Sequence, residues 1–131
     1  MTAVAAARTA QSDLTILAGQ ARLVLADLLT GRTNLESLSD AVDAGAACTR
    51  SALPIEAWLP TQRTIAATRA ETEPARAVCD ACPVRLRCLT RALVTDLGRQ
   101  DVAGGLVPRE MRQLRRRVAS LLTKFKKKEA R

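Results

Sequence analysis

The segment A-R-A-V-C-D-A-C-P-V-R-L-R-C-L, residues 75–89, holds three of the four cysteines of a 131-residue chain within ten positions. Two residues separate Cys79 from Cys82, a spacing that lets both sulfurs turn toward a common centre, and five separate Cys82 from Cys88. Pro83 lacks an amide proton and disfavours helical geometry at the residue before it, so it breaks the chain there and brings Cys88 within reach. Thirty residues separate Cys48 from Cys79, and Cys48 supplies a fourth sulfur from a distant loop. The chain has no His, and four thiolates suit soft ligation of an iron-sulfur cluster or of tetrahedral zinc. Zinc sites commonly pair two short Cys knuckles, and only one is present here. A thioredoxin-like dithiol at Cys79 and Cys82 lacks the surrounding βαβ pattern, and four unrelated buried thiols are the bland alternative.

Outward from this segment the apolar spacing is helical throughout. Pro74 suits a first turn, and the helix it opens runs through Ala75, Ala77 and Val78 into Cys79. Pro83 begins another, with Leu86, Leu89, Leu93 and Leu97 on one face and Gly98 closing the end. Residues 12–30 read as an amphipathic helix capped by Ser12 or Asp13, with Leu14, Leu17, Ala21, Val24, Leu25, Leu28 and Leu29 inward and Gly31 after it. A second short helix runs from Leu35 through Val42 to Gly45. From Cys48 to Thr72 the reading is a loop with at most one helical turn, because Pro54 and Pro60 interrupt it and Thr61, Thr64 and Thr68 lower helix propensity. Asp101, Gly104 and Gly105 make a turn. Pro108 opens a last helix with Glu110 in its first turn and Met111, Leu114, Val118, Leu121 and Leu122 on one side. Nothing reads as a strand. The expected fold is all α: an N-terminal helical extension (1–45), a small helical domain organised around the four Cys (46–107) and a basic C-terminal helix (108–131).

Trp58 and Phe125 are the only aromatic residues, so the core must be built from Ala, Leu and Val. Such a core is thin, and small domains of this kind are commonly tied by disulfides or a metal. The N-terminus lacks a secretory pattern and no run approaches the roughly 18 apolar residues of a bilayer span. The sequence therefore reads as cytoplasmic, where clustered thiols more often bind metal than form disulfides. The helix at 12–30 presents Gln11, Asp13, Gln20 and Asp27 on its polar face, which argues against a membrane surface.

The net charge of +8 resides at one end. From Pro108 onward there are ten basic residues, Arg109, Arg112, Arg115, Arg116, Arg117, Lys124, Lys126, Lys127, Lys128 and Arg131, against Glu110 and Glu129. The rest of the chain balances to zero. Uncompensated cations repel one another, so such a tail fits a polyanion, and the nine from Arg109 to Lys128 are the candidate nucleic-acid contacts. Phe125 is the only aromatic among them, which favours duplex phosphates or grooves over single-strand stacking. No Ser-His pair and no Gly-rich phosphate loop supports hydrolytic or nucleotide chemistry, and the chain does not read as an enzyme.

Taken in order, Cys48, P-I-E-A-W-L-P at 54–60, the segment at 75–89 with its C-P-V-R-x-x-C portion, D-V-A-G-G-L at 101–106 and the basic helix resemble the WhiB-like family of actinobacterial iron-sulfur transcriptional regulators. The resemblance runs from about Cys48 to Arg117. It implies that Cys48, Cys79, Cys82 and Cys88 ligate one 4Fe-4S cluster per chain that responds to oxygen or nitric oxide, with a disulfide in the metal-free form. It further implies DNA contact by the basic C-terminus and binding to region 4 of the primary sigma factor, with Trp58, Gly104 and Gly105 as candidate partner-binding residues. The family's turn is usually close to G-V-W-G-G, whereas Asp101 and Ala103 stand at its first and third positions here, and Leu59 stands where a second aromatic commonly neighbours Trp58. Losing an aromatic anchor from a small interface costs about 2–4 kcal/mol. The alternatives to this reading are a structural zinc module that binds nucleic acid and a metal-free dithiol reductase acting through Cys79 and Cys82. Trp58 also has a plain reading as a cap on the weak core, and Gly104 and Gly105 one as a tight turn that fixes the angle of the basic helix.

Overall fold

A computed structural model describes the backbone of residues 3–130 and the side chains of residues 13–130. Seven helices form within them: α1 (Ala3–Thr30), α2 (Leu35–Gly45), α3 (Ile65–Glu71), α4 (Glu73–Asp80), α5 (Arg85–Thr95), α6 (Pro108–Arg117) and α7 (Ala119–Glu129). Among the described residues no strand forms, and a single antiparallel bridge pairs Ala103 with Leu106. The fold is all α, as the periodicity requires.

Helix α1 starts at Ala3, earlier than expected, because the Ala-rich stretch before Ser12 has high helix propensity. Ser12 and Asp13 therefore lie inside the helix instead of capping it; the side chains of Gln11 and Ser12 fall outside the described set. Helix α2 starts where its pattern begins, capped by Asn34, whose side-chain oxygen accepts the Ser37 N–H at 2.8 Å. The face of α1 formed by Leu14, Leu17, Ala18, Ala21, Leu25 and Leu28 is buried against Leu38, Leu89, Ala92, Leu93, Met111, Leu114, Leu122 and Phe125. One core thus joins α1, α2, α5, α6 and α7. With so few aromatics, most of its stabilisation comes from Leu, each fully buried side chain contributing about 1.5–3 kcal/mol.

Three local expectations are corrected. The Cys48–Thr72 stretch is not mainly loop: it holds single 3-10 turns at Ala47–Arg50 and Ile55–Trp58, and then α3. Its threonines satisfy their own hydroxyls. Thr64 Oγ1 caps α3 by accepting the Ala67 N–H at 3.2 Å, while the Thr68 and Thr72 hydroxyls donate back to the Thr64 and Thr68 carbonyls at 2.9 and 2.6 Å. That pairing lets Thr68 and Thr72 be buried. Helix α5 ends at Asp96, which takes the left-handed conformation (φ 61°), so Gly98 lies beyond the helix and Leu97 is exposed. The basic helix is kinked at Val118 into α6 and α7. There Arg22 of α1 donates to the Arg117 carbonyl at 3.0 Å, and a side chain competing for a helical carbonyl is a recognised cause of a kink.

Candidate metal centre

Cys79 sits in the last turn of α4 and Cys88 in the first turn of α5. Between them the Cys82 N–H donates to the Cys79 carbonyl at 3.0 Å, and Pro83 holds the chain out of helix until α5 begins. Cys48 arrives from the other side of the fold. Helix α2 packs on α5, and Ala46 and Val42 bury against Val84. The backbone approach is close, since a Cβ on Gly45 would stand 2.8 Å from Val84 Cγ1. The turn after Ala46 therefore delivers Cys48 to the three sulfurs of the 75–89 segment. All four cysteines are free thiols. They line a single cavity of about 20 Å³, together with Ala46, Arg85 and Gly104, and Cys48 is exposed at its rim.

Three of the four sulfurs have backbone N–H groups beside them. The Ala47 N–H donates to Cys82 Sγ at 3.4 Å. The Gly105 N–H favours the thiolate of Cys79 and the Gly104 N–H that of Cys88. This last pair is possible because Gly104 (φ 57°) and Gly105 (φ 81°) are both left-handed, the conformation of a tight hairpin turn, closed here by the Ala103–Leu106 bridge. Successive N–H groups so arranged form a small anion-binding concavity. The turn is packed hard against α5: a Cβ on Gly104 would lie 2.8 Å from Leu89 Cβ and 3.0 Å from its Cα, and Arg85 Nε donates to the Gly104 carbonyl at 3.0 Å.

Burial pushes the Cys79 thiol up to about 11, against the pull of the Gly105 N–H, and raises Cys88 likewise. Neighbouring thiols add to both shifts, while the Arg85 guanidinium near Cys79 and that of Arg91 near Cys88 oppose them. A thiolate here therefore needs a cation to offset it, and the N–H donors and guanidiniums stabilise the negative charge of a thiolate-held centre. The donor set fits an iron-sulfur cluster: four soft sulfurs on one space, with backbone N–H groups beside three of them of the kind that tune such clusters. Among the described residues no three His, Cys, Asp or Glu side chains converge closely enough to grip a single ion.

Around the centre, Trp58 is half-buried against Cys79, Val102 and Val107, and its carbonyl accepts the Val102 N–H at 2.9 Å. The 54–60 segment and the glycine turn are thus held together on one side of the sulfurs, where Ile55 and Leu59 remain exposed. Sequence reasoning missed two features here. The glycines act through their N–H groups, which no spacing rule shows. Glu110 is buried (1% exposed) and pairs with Arg69 at 2.7 Å while accepting the Val107 N–H at 3.2 Å. Its place three residues after Val107, at a helix start, is the sequence signal that reveals the capping half of that role.

The basic residues divide. Arg115 donates to the Ala92 and Leu97 carbonyls at 3.0 and 2.7 Å, at the end of α5. Arg117 donates to Thr15 Oγ1 at 2.8 Å, and Lys128 to the Leu28 carbonyl at the end of α1 at 2.7 Å. Arg109, Arg112, Arg116, Lys124, Lys126 and Lys127 are exposed and make no hydrogen bond or ion pair within the described residues. Arg131 lies outside these residues. Phe125 is buried (4% exposed) and cannot stack on a base. No helix of the described residues is long and apolar enough to cross a membrane.

A family model described as transcription factor WhiB matches residues 43–114, just over half of the chain, from the end of α2 into α6. No curated protein and no solved structure matches the chain.

Proposed function

The chain belongs to the WhiB family of transcription factors, and from that premise we propose that it is a redox- or nitric-oxide-responsive regulator whose four cysteines hold one 4Fe-4S cluster and whose basic helices contact DNA, a sigma factor, or both. The observation that carries this reading is the convergence of Cys48, Cys79, Cys82 and Cys88 on one cavity, with N–H donors on three of the sulfurs. When bound, the cluster supplies reversible one-electron chemistry and reactivity toward small oxidants.

The chain's own residues link the sulfurs to the basic face by two short routes. Gly104 and Gly105 hold Cys88 and Cys79 and lead within three residues to Pro108, the start of α6. On the other route, Arg76 of α4, one turn before Cys79, donates to the Arg69 carbonyl at 3.2 Å, and Arg69 pairs with Glu110 of α6. A change in ligation at Cys79 is felt at the first turn of α6 through both. Metal ligation and folding share one free energy in domains this small, so the placement of Arg109, Arg112 and Arg116 depends on the state of the thiols.

Anaerobic purification with an absorbance spectrum and iron and sulfide analysis tests the reading, comparing wild type with Cys82→Ala. About four irons per chain and a broad visible band, lost in the variant, are expected. Colourless protein with one zinc would replace the sensor with a zinc-folded nucleic-acid binder.

A further inference from the structure

We propose that a groove lined by Arg63, Arg99, Arg109 and Arg112 binds the phosphate backbone of duplex nucleic acid at a place distinct from the lysines of α7. The groove has a volume of about 350 Å³, and Gln62 and Gln100 also line it. Its four guanidiniums come from three separate places in the fold: the segment before α3, the connection between α5 and α6, and the first turns of α6. No carboxylate lines it.

A neighbouring groove lacks that imbalance. A second groove of similar size, about 330 Å³, also has three Arg, but there Asp13, Asp80 and Glu110 balance Arg69, Arg76 and Arg85. In the first groove Arg63, Arg109 and Arg112 make no ion pair or hydrogen bond within the described residues, and Arg99 has only Asp96 at 3.0 Å, both side chains more than half exposed. An exposed pair of this kind contributes little and exchanges readily for a stronger anion. The wall carrying Arg63 is fixed: the Thr61 and Gln62 N–H groups donate to the Glu71 carboxylate at 2.9 and 3.1 Å, which occupies that carboxylate. Four gathered cations repel one another until an anion sits among them, and the guanidinium fork matches phosphate oxygens two at a time.

Two observations favour a polymer over a small anion. The cations continue past the groove, since Arg116 follows Arg109 and Arg112 by seven and four positions on the same exposed face of α6. The positive pole of α6, beginning at Pro108, adds to the potential at the Arg109 end of that line. No aromatic side chain lines the groove, so single-stranded bases have nothing to stack on and the backbone of a duplex is the matching partner.

The inference rests on the proposed nucleic-acid role, and the test separates the two. Binding of the full, anaerobically purified chain to a 20-base-pair duplex of arbitrary sequence is measured from 50 to 300 mM salt. Wild type is compared with the Arg63→Gln/Arg99→Gln double variant and with a tail variant, Lys124→Gln/Lys126→Gln/Lys127→Gln. Both changed sites are exposed, so circular dichroism and melting should match wild type. Losing two phosphate contacts lowers the log–log salt slope by about 1.8 and weakens binding about 60-fold at 0.1 M salt, with little dependence on sequence. If only the tail variant loses affinity, the groove assignment fails and the nucleic-acid reading stands. If wild type does not bind the duplex, both fail. If the groove variant keeps duplex affinity but loses binding to poly-glutamate, the groove belongs to an acidic protein segment and the assignment is overturned.

Discussion

Replacing Glu110 with alanine should destabilise the protein by about 3 kcal/mol. The carboxylate is buried (1% exposed), 2.7 Å from the Arg69 guanidinium, and caps α6 by accepting the Val107 N–H. Removing one member of a buried ion pair typically costs about 3–5 kcal/mol, because the other charge is left without a partner. Arg69 remains 29% exposed and can rehydrate in part, which puts the pair at the low end of that range. Loss of the cap alone is worth about 1 kcal/mol and is included in the total. Against a stability of about 5–15 kcal/mol this is a large fraction, and for a chain of this size it lowers Tm by about 10 °C. Glu110→Gln keeps the shape and the cap, so it should lose about half as much. The assay is urea denaturation followed by circular dichroism, run as a double-mutant cycle with Arg69→Met. The Arg69 change should cost much less in the Glu110→Gln background than in wild type. Additive losses, or a Glu110→Ala cost below about 1 kcal/mol, would refute the claim that this pair anchors the start of α6.

Other perturbations separate the remaining parts. Gly104→Ala should cost about 3 kcal/mol and reduce iron loading, since φ 57° and the Leu89 backbone both oppose a Cβ; Gly105→Ala carries backbone strain too (φ 81°) but its Cβ meets only the movable end of Arg85, so it should do less, as melting and iron analysis will show. In metal-free protein Cys79 titrates near 11 when folded, above the ordinary thiol value, so the unfolded chain loses its proton first. The metal-free fold should accordingly weaken as pH rises from about 9 to 11 and be insensitive to this group below that window, measured by chemical denaturation across pH. Lys128→Gln should lower stability by about 0.5–1 kcal/mol with duplex affinity nearly unchanged, while Lys127→Gln should do the reverse, because Lys128 donates to the end of α1 and Lys127 points to solvent.

The helices and the sulfurs were legible in the sequence for different reasons. Leu14 to Leu28 and Met111 to Leu122 repeat at the helical period, and that period survives folding because the same residues become the core. The cysteines were legible because their chemistry and crowding are rare in a chain without His. The 48–72 stretch was misread because propensity treats Thr as a helix breaker, whereas Thr64, Thr68 and Thr72 each find a local hydrogen bond that makes helix acceptable. The kink at Val118 was invisible because its cause, Arg22, is 95 residues from Arg117. The N–H donors of Gly104 and Gly105 are backbone groups with no side-chain signature, and only the turn's placement against Cys79 and Cys88 shows what they do.

The two anchorages of the basic helices differ in kind, and this bears on what a change at the sulfurs can do. The first turn of α6 is held on the cysteine side of the fold through Glu110, Arg69 and the glycine turn, and in the core through Met111. The far end is held by α1, which lies outside the matched family region: Arg22 and Thr15 bind Arg117, Lys128 binds the end of α1, and Phe125 and Leu122 pack into the α1 core. None of these α1 contacts involves a cysteine. Loosening the cysteine side therefore leaves α7 in place and weakens the hold of Glu110 and the glycine turn on the start of α6, while Met111 and Leu114 stay packed in the α1 core. The proposed groove lies at that end, since Arg109 and Arg112 are on α6 while Arg63 and Arg99 are on the neighbouring segments. Its four guanidiniums stay gathered only while those segments and α6 keep their relative positions. Lys124 and Lys127 on α7 do not share that dependence. In the proposed reading, phosphate contact at the groove would then depend on the thiol centre and contact by Lys124 and Lys127 would not, so a change at the sulfurs would weaken one hold on nucleic acid and leave the other.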